Sequence, residues 1–143
     1  MQYQEIMKNE VRVFAPASVG NAIVGFDILG LALTKPGDEI VARRSDVPGL
    51  RIVHISGDEG KLPYDIEKNT AGFAALSLLR HLGQTELGIE MEIHKRMLFG
   101  SVLGSSAASA VGGAYAVNLL LGSPLSKQEL LPFAMHGEQL ASG

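Results

Sequence analysis

The sequence has no cysteine and no tryptophan, only 6% aromatic residues, and no basic excess. Without cysteine there are no disulfides, thiolate nucleophiles or sulfur-ligated metals, a composition that fits a reducing compartment. Twelve Lys and Arg stand against fifteen Asp and Glu, and the basic residues are scattered apart from the pairs Arg43-Arg44 and Lys95-Arg96. A nucleic-acid backbone needs a clustered basic face, so nucleic acid is not the expected partner. No stretch approaches the ~18 apolar residues that span a bilayer, and Met1 to Glu10 is polar and charged where a secretion signal would be apolar. Cytoplasm, with no membrane contact, is the expected location. Hydrophobic residues make up 46% of the 143 and glycine contributes 17. That is enough apolar matter for one buried core, and it excludes wholesale disorder.

Punctuation along the chain divides it into elements. Val11–Phe14 alternates and runs into Ala15-Pro16-Ala17, reading as a strand that ends at proline. Phe26–Leu33, Glu39–Arg44 and Leu50–Ile55 read as further strands, which puts four in the first 56 residues. From Asn69 to Leu82, the residues Phe73, Leu76, Leu79 and Leu82 keep near-helical spacing, with Asp65 and Asn69 as candidate caps and Gly83 as the stop. Gly88–His94 alternates apolar and polar residues, the pattern of a strand with one wet face. A glycine-bearing loop follows, and an Ala-rich helix is expected to begin near Ser105 and run to Leu121. Within it, Gly112-Gly113 marks either close packing or a weak point. Gly122-Ser-Pro124 ends that helix, and Ser126-Lys-Gln-Glu129 has the form of a capping box that starts the last one.

Between strand and Ala-rich helix lies Gly100-Ser-Val-Leu-Gly-Ser-Ser-Ala-Ala-Ser109. Glycines let a backbone approach an anion, and the unpartnered amides and dipole of a helix start attract negative charge. Ser105 and Ser106 at that mouth can cap an amide, touch a phosphate oxygen or ligate a magnesium ion. A simply capped helix with a tight entry turn explains the same residues. The stretch has no lysine after its second glycine, so it is not a Walker A loop, and Gly100 and Gly104 do not form a Rossmann G-x-G-x-x-G. Asn21 and Asp27, in a small-residue loop and the strand after it, suit either a polar ligand or local turns. Glu138 alone reads as a solvated helix face. His54, His81, His94 and His136 have no zinc-site spacing, and no G-x-S-x-G elbow occurs.

Taken together, Arg12-Val-Phe-Ala-Pro-Ala-Ser18, Asn21, Gly25-Phe-Asp-Ile-Leu-Gly-Leu-Ala-Leu33 and Gly100–Ala110 resemble the homoserine kinase branch of the GHMP kinases, from Val11 to Gly143. The resemblance implies an α/β (α+β) fold, the GHMP kinase N-terminal domain of the ribosomal protein S5 domain 2-like type. That fold has a mixed sheet with helices on one side and a left-handed β-α-β unit; a C-terminal domain would complete the enzyme. It implies ATP and Mg2+ as cofactors and L-homoserine as the small-molecule substrate, phosphorylated on its side-chain hydroxyl for threonine biosynthesis.

Carried over by position, the triphosphate faces Phe99, Gly100, Ser101, Val102, Leu103, Gly104, Ser105 and Ser106. Magnesium falls to Ser106 and Glu138, and homoserine to Asn21 and Asp27. Asn69 corresponds to a position that touches adenine or ribose. No catalytic base is implied. Val102 stands where the family usually has glycine, a strained exchange if the loop needs positive φ there; Leu98, Phe99 and Ile23-Val24 also depart from the usual residues. A mevalonate-type GHMP kinase and a nucleotide-binding, non-catalytic sensor or fragment are the alternatives, and a homodimer is left open.

Overall fold

The computed structural model describes residues 9–16, 37–96 and 102–142, with Pro16, Gly37, the stretch 102–106, Glu138 and the stretch 140–142 by backbone. Four strands form one sheet: β1 (Glu10–Pro16), β2 (Gly37–Arg44), β3 (Leu50–Ser56) and β4 (Ile89–His94). Three helices accompany them, α1 (Thr70–Leu82), α2 (Val102–Leu120) and α3 (Leu131–Ser142). The expected strand Phe26–Leu33 lies outside the described residues.

The strand order is β1-β2-β4-β3, with β1–β2 and β2–β4 antiparallel and β3–β4 parallel. The sheet is therefore mixed, and the parallel pair is joined through α1, as a parallel pair requires a crossover. Register decides which side of the sheet is apolar. Val11 and Val13 pair with Ala42 and Ile40, and these in turn face Met91 and Ile93. Ile52 and Ile55 stand beside the same two β4 residues. All are buried in one cluster with Ala71, Leu78 and Leu79 of α1, Val117 and Leu120 of α2, and Phe133 of α3. All three helices thus cover one face.

The opposite face carries charge. Arg43 donates to Glu92 at 2.7 Å, Arg51 to Glu90 at 2.8 Å and Arg12 to Glu39 at 3.1 Å. His94 continues the ladder, its Nε2 3.0 Å from Glu92 and its Nδ1 2.8 Å from Ser56 Oγ. Hydrogen bonds from Arg43 and then His94 hold the Glu92 carboxyl below its ordinary range. β4 accordingly alternates buried and half-buried residues along its length, as its sequence predicts.

Local chemistry explains the helix ends. Asn69 caps α1 by accepting from Gly72 N, and Gly83, at φ 69°, closes it in the left-handed conformation that glycine adopts without penalty. The capping box is present, with Glu129 N donating to Ser126 Oγ at 3.1 Å and Ser126 N to Glu129 Oε1 at 2.8 Å. It opens a short 3-10 turn, Gln128–Leu130, and α3 proper starts at Leu131. Helix α2 is already in place at Val102, three residues before the expected start near Ser105. Among described non-glycine residues only Glu59 and Ser123 have positive φ.

Gly112-Gly113 is close packing. A Cβ on Gly113 would stand 2.3 Å from the Ala71 carbonyl oxygen, and one on Gly112 2.8 Å from Ile40 Cγ1. The helix passes through both glycines unbroken.

Candidate functional site

The chain leaves β4 at His94, and α2, described from Val102 onward, packs against β1 and β2. Helix α2 is 19 residues long with no acidic residue in its first turn. Its leading amides have no intrahelical acceptor, and no carboxylate in that turn opposes an incoming anion. Of the anticipated phosphate contacts, Val102, Leu103, Gly104, Ser105 and Ser106 form this opening stretch. Phe99, Gly100 and Ser101 lie outside the described residues, as do Asn21 and Asp27.

Glycine 137 brings the other helices to the same end. A Cβ there would lie 2.7 Å from the Thr70 carbonyl oxygen and 3.1 Å from the Cβ atoms of Ala110 and Ala74. Thr70 is the first residue of α1, next to its cap Asn69. Ala110 is one turn after Ser106 on α2, and Glu138 follows Gly137 on α3. Gly137 is thus where α1, α2 and α3 approach one another most closely in this part of the fold, and positions 69, 106 and 138 lie within about a turn of its contacts along their own helices.

Asn69 is 3% exposed. Its Oδ1 accepts from Gly72 N at 3.1 Å, while its Nδ2 donates to the Pro63 carbonyl at 2.9 Å. This amide fixes the approach to α1 as well as its first turn.

Reading the sequence did not single out Asp38, Lys95 or Ser109. All three are buried, at 0%, 7% and 5% exposure. Lys95 Nζ donates to Asp38 Oδ2 and, at 3.0 Å, to Ser109 Oγ. Asp38 Oδ1 accepts from Arg96 N at 2.9 Å. Asp38 and Lys95 are 57 residues apart, and no local pattern links them.

An anion-ready helix start beside a mixed sheet with helices on one face defines a class, and comparison identifies it. Residues 69–143 match the family described as GHMP kinases N terminal domain, and the chain belongs to that family. It is 48% identical over 142 residues to the homoserine kinase of Chlorobium phaeovibrioides, covering 93% of this chain and 44% of that protein. A crystal structure of homoserine kinase from Cytophaga hutchinsonii superposes with a TM-score of 0.83 at 49% identity, over 100% of this chain and 45% of that one. The Methanococcus jannaschii mevalonate kinase, at 17% identity and a TM-score of 0.59, shares the fold. The chain spans less than half the length of the homoserine kinases it matches.

Proposed function

We propose that this chain is the N-terminal, nucleotide-binding domain of a kinase that transfers the γ-phosphoryl group of ATP to the side-chain hydroxyl of L-homoserine, giving O-phosphohomoserine for threonine biosynthesis in the cytoplasm. The observation that carries the reading is the acid-free start of α2, with α3 held against the same helix through Gly137. Phosphoryl transfer asks little covalent chemistry of a protein, so placement and charge neutralisation supply most of the rate. A helix mouth flanked by glycine and serine supports this role, and the resemblance to homoserine kinases supplies the acceptor.

In this reading the stretch Phe99–Ser106 holds the triphosphate. Ser106 and Glu138 would hold Mg2+, which when bound neutralises phosphate charge. The junction at Gly137 supports that pairing, since Gly137, the residue before Glu138, packs on Ala110, one turn after Ser106. Asp27 pairs with the ammonium of homoserine, and Asn21 orients the substrate by hydrogen bonding. Asn69 contributes by setting the start of α1 next to that junction.

Steady-state kinetics on the complete protein test the assignment. ATP consumption should depend on homoserine, and turnover of a mevalonate-type alcohol in its place would redirect the reading to that kinase class. Nucleotide binding with no turnover on either alcohol would make it a sensor. Ser106→Ala and Glu138→Gln should each raise the Mg2+ requirement and lower kcat. Asp27→Ala should raise the homoserine KM far more than the ATP KM.

A further inference from the structure

We infer that Asp38, Lys95 and Ser109 are positioning residues that clamp the exit of β4 to helix α2 and so set the frame of the phosphate site, an inference that rests on the nucleotide reading above. Lys95 is held from every side. Its backbone N donates to the Ser56 carbonyl at 2.8 Å. Its own carbonyl is pressed against Gly57, where a Cβ would stand 2.0 Å away. Its ammonium bridges Asp38 of β2 and Ser109 of α2, and the second Asp38 oxygen takes the amide of Arg96. One carboxylate therefore grips two consecutive residues as the chain leaves the sheet, and one lysine ties that point to the helix.

Ser109 comes three residues after Ser106 and four after Ser105, the spacings that place side chains on a common helix face. The clamp thus engages α2 one turn below the serines assigned to phosphate and metal. Both flanks of residues 97–101 are fixed by this single polar cluster.

Stability is a poor reason for such a cluster. A buried ion pair must recover a large desolvation penalty, and apolar residues of similar volume are often as stabilising or more so. Small apolar packing is already present beside it, where Ala15 and Ala108 are buried together. What apolar contacts lack is direction. Hydrogen bonds of fixed geometry set the height and rotation of α2 over the sheet, and a displacement of ~1 Å at a reacting centre is enough to slow a reaction strongly. Asp38 also neutralises the ammonium, so the clamp adds no net charge beneath the anion site.

The test uses the complete protein with homoserine kinase kinetics, thermal melts and calorimetric ADP binding. Ser109→Ala keeps the Lys95–Asp38 pair and removes the bond from Lys95 to Ser109 of α2. It should raise the ATP KM roughly three- to tenfold, the worth of one hydrogen bond, with the homoserine KM within about twofold of the unsubstituted value. Ser109→Thr, which keeps the hydroxyl, should restore the ATP KM. The paired change Asp38→Asn with Lys95→Met removes the buried charges together. It should melt near the unsubstituted temperature yet bind ATP as weakly as Ser109→Ala, or more so.

Wild-type ATP KM in both Ser109→Ala and the paired variant overturns the clamp, as does an equal rise in both substrate KM values. If the unsubstituted protein does not phosphorylate homoserine, the functional reading fails, and ADP affinity in the same variants decides the clamp alone. No ADP binding by the unsubstituted protein overturns both.

Discussion

Asn69 does two things with one amide group, capping α1 through Oδ1 and tying down Pro63 through Nδ2. Asn69→Ala removes both bonds at a buried position and should lower stability by about 1–2 kcal/mol in denaturant melts. Asn69→Ser keeps an acceptor for the helix amides and loses the donor to Pro63, so it should fall between the two. Equal stabilities for Ala and Ser would show that the cap contributes nothing. Gly57 presents a sharper case. Its φ of 79° disfavours any side chain, and a Cβ would overlap the Lys95 carbonyl at 2.0 Å. Gly57→Ala combines a left-handed penalty of ~1–2 kcal/mol with that overlap, so a loss of at least about 2 kcal/mol is expected by urea titration. A neutral result would mean that the segment leaving β3 is free to move away from Lys95.

Where helices cross, two effects of opposite sign meet at Gly113. Alanine is a better helix former than glycine by ~1 kcal/mol. Against this, a Cβ at 113 would stand 2.3 Å from the backbone oxygen of Ala71, which no side-chain rotation relieves. Overpacking of this kind costs ~1–3 kcal/mol or more, so Gly113→Ala should be net destabilising, and a rise in Tm would show that α1 and α2 can separate without loss. On the sheet's charged face, Glu92 has a carboxyl held below its ordinary value of 4.5 by Arg43 and His94. A depressed carboxyl contributes stability that is fully present above its ordinary value and is lost as pH falls through the folded one. Urea melts from pH 6 to 3 should therefore show Glu92→Gln losing less stability below about pH 4.5 than the unsubstituted chain; parallel curves would remove the ladder from the acid response.

The same elements show what a sequence can and cannot reveal. α1 was legible because its end signals are local, Asn69 before it and Gly83 after it, whereas its buried face is Ala71, Ala74, Ala75, Leu78 and Leu79, and of the expected series Phe73, Leu76, Leu79 and Leu82 only Leu79 is buried. β4 was legible from strict alternation, since one of its faces meets the charged ladder. α2 was harder. It packs against β1 and β2 on one side and against α1 and α3 on the other, so it is apolar around its circumference and its period is muted. Ser105 has the chemistry of a cap, whereas Val102, where the described helix is already formed, has none, so local chemistry points three residues too far along. For the site, the glycine-serine stretch pointed to the helix mouth, but the close approach of the three helices depends on Gly137, a residue with no chemical signature. The clamp of Asp38 and Lys95 was not legible at all, because pairing across 57 residues is a property of the register between β2 and β4.

At the scale of the whole molecule, one apolar cluster draws buried residues from all four strands and all three helices. Among the described residues only the small Ala15–Ala108 contact stands apart from it, so loss of any one element exposes the others. This coupling predicts that the 143-residue chain unfolds in a single transition, although it spans only 44% of the length of its Chlorobium relative. Scanning calorimetry should give equal calorimetric and van't Hoff enthalpies, near roughly 0.7 kcal/mol per residue for a transition around 60 °C. The helix mouth and the three-helix junction belong to this same unit, so nucleotide binding should be linked to it. ADP with Mg2+ should raise the midpoint in a concentration-dependent way, by mass action on the folded state. Two resolved transitions would contradict a single core. One transition that ADP leaves unmoved would leave the core intact and place the decisive nucleotide contacts outside this chain.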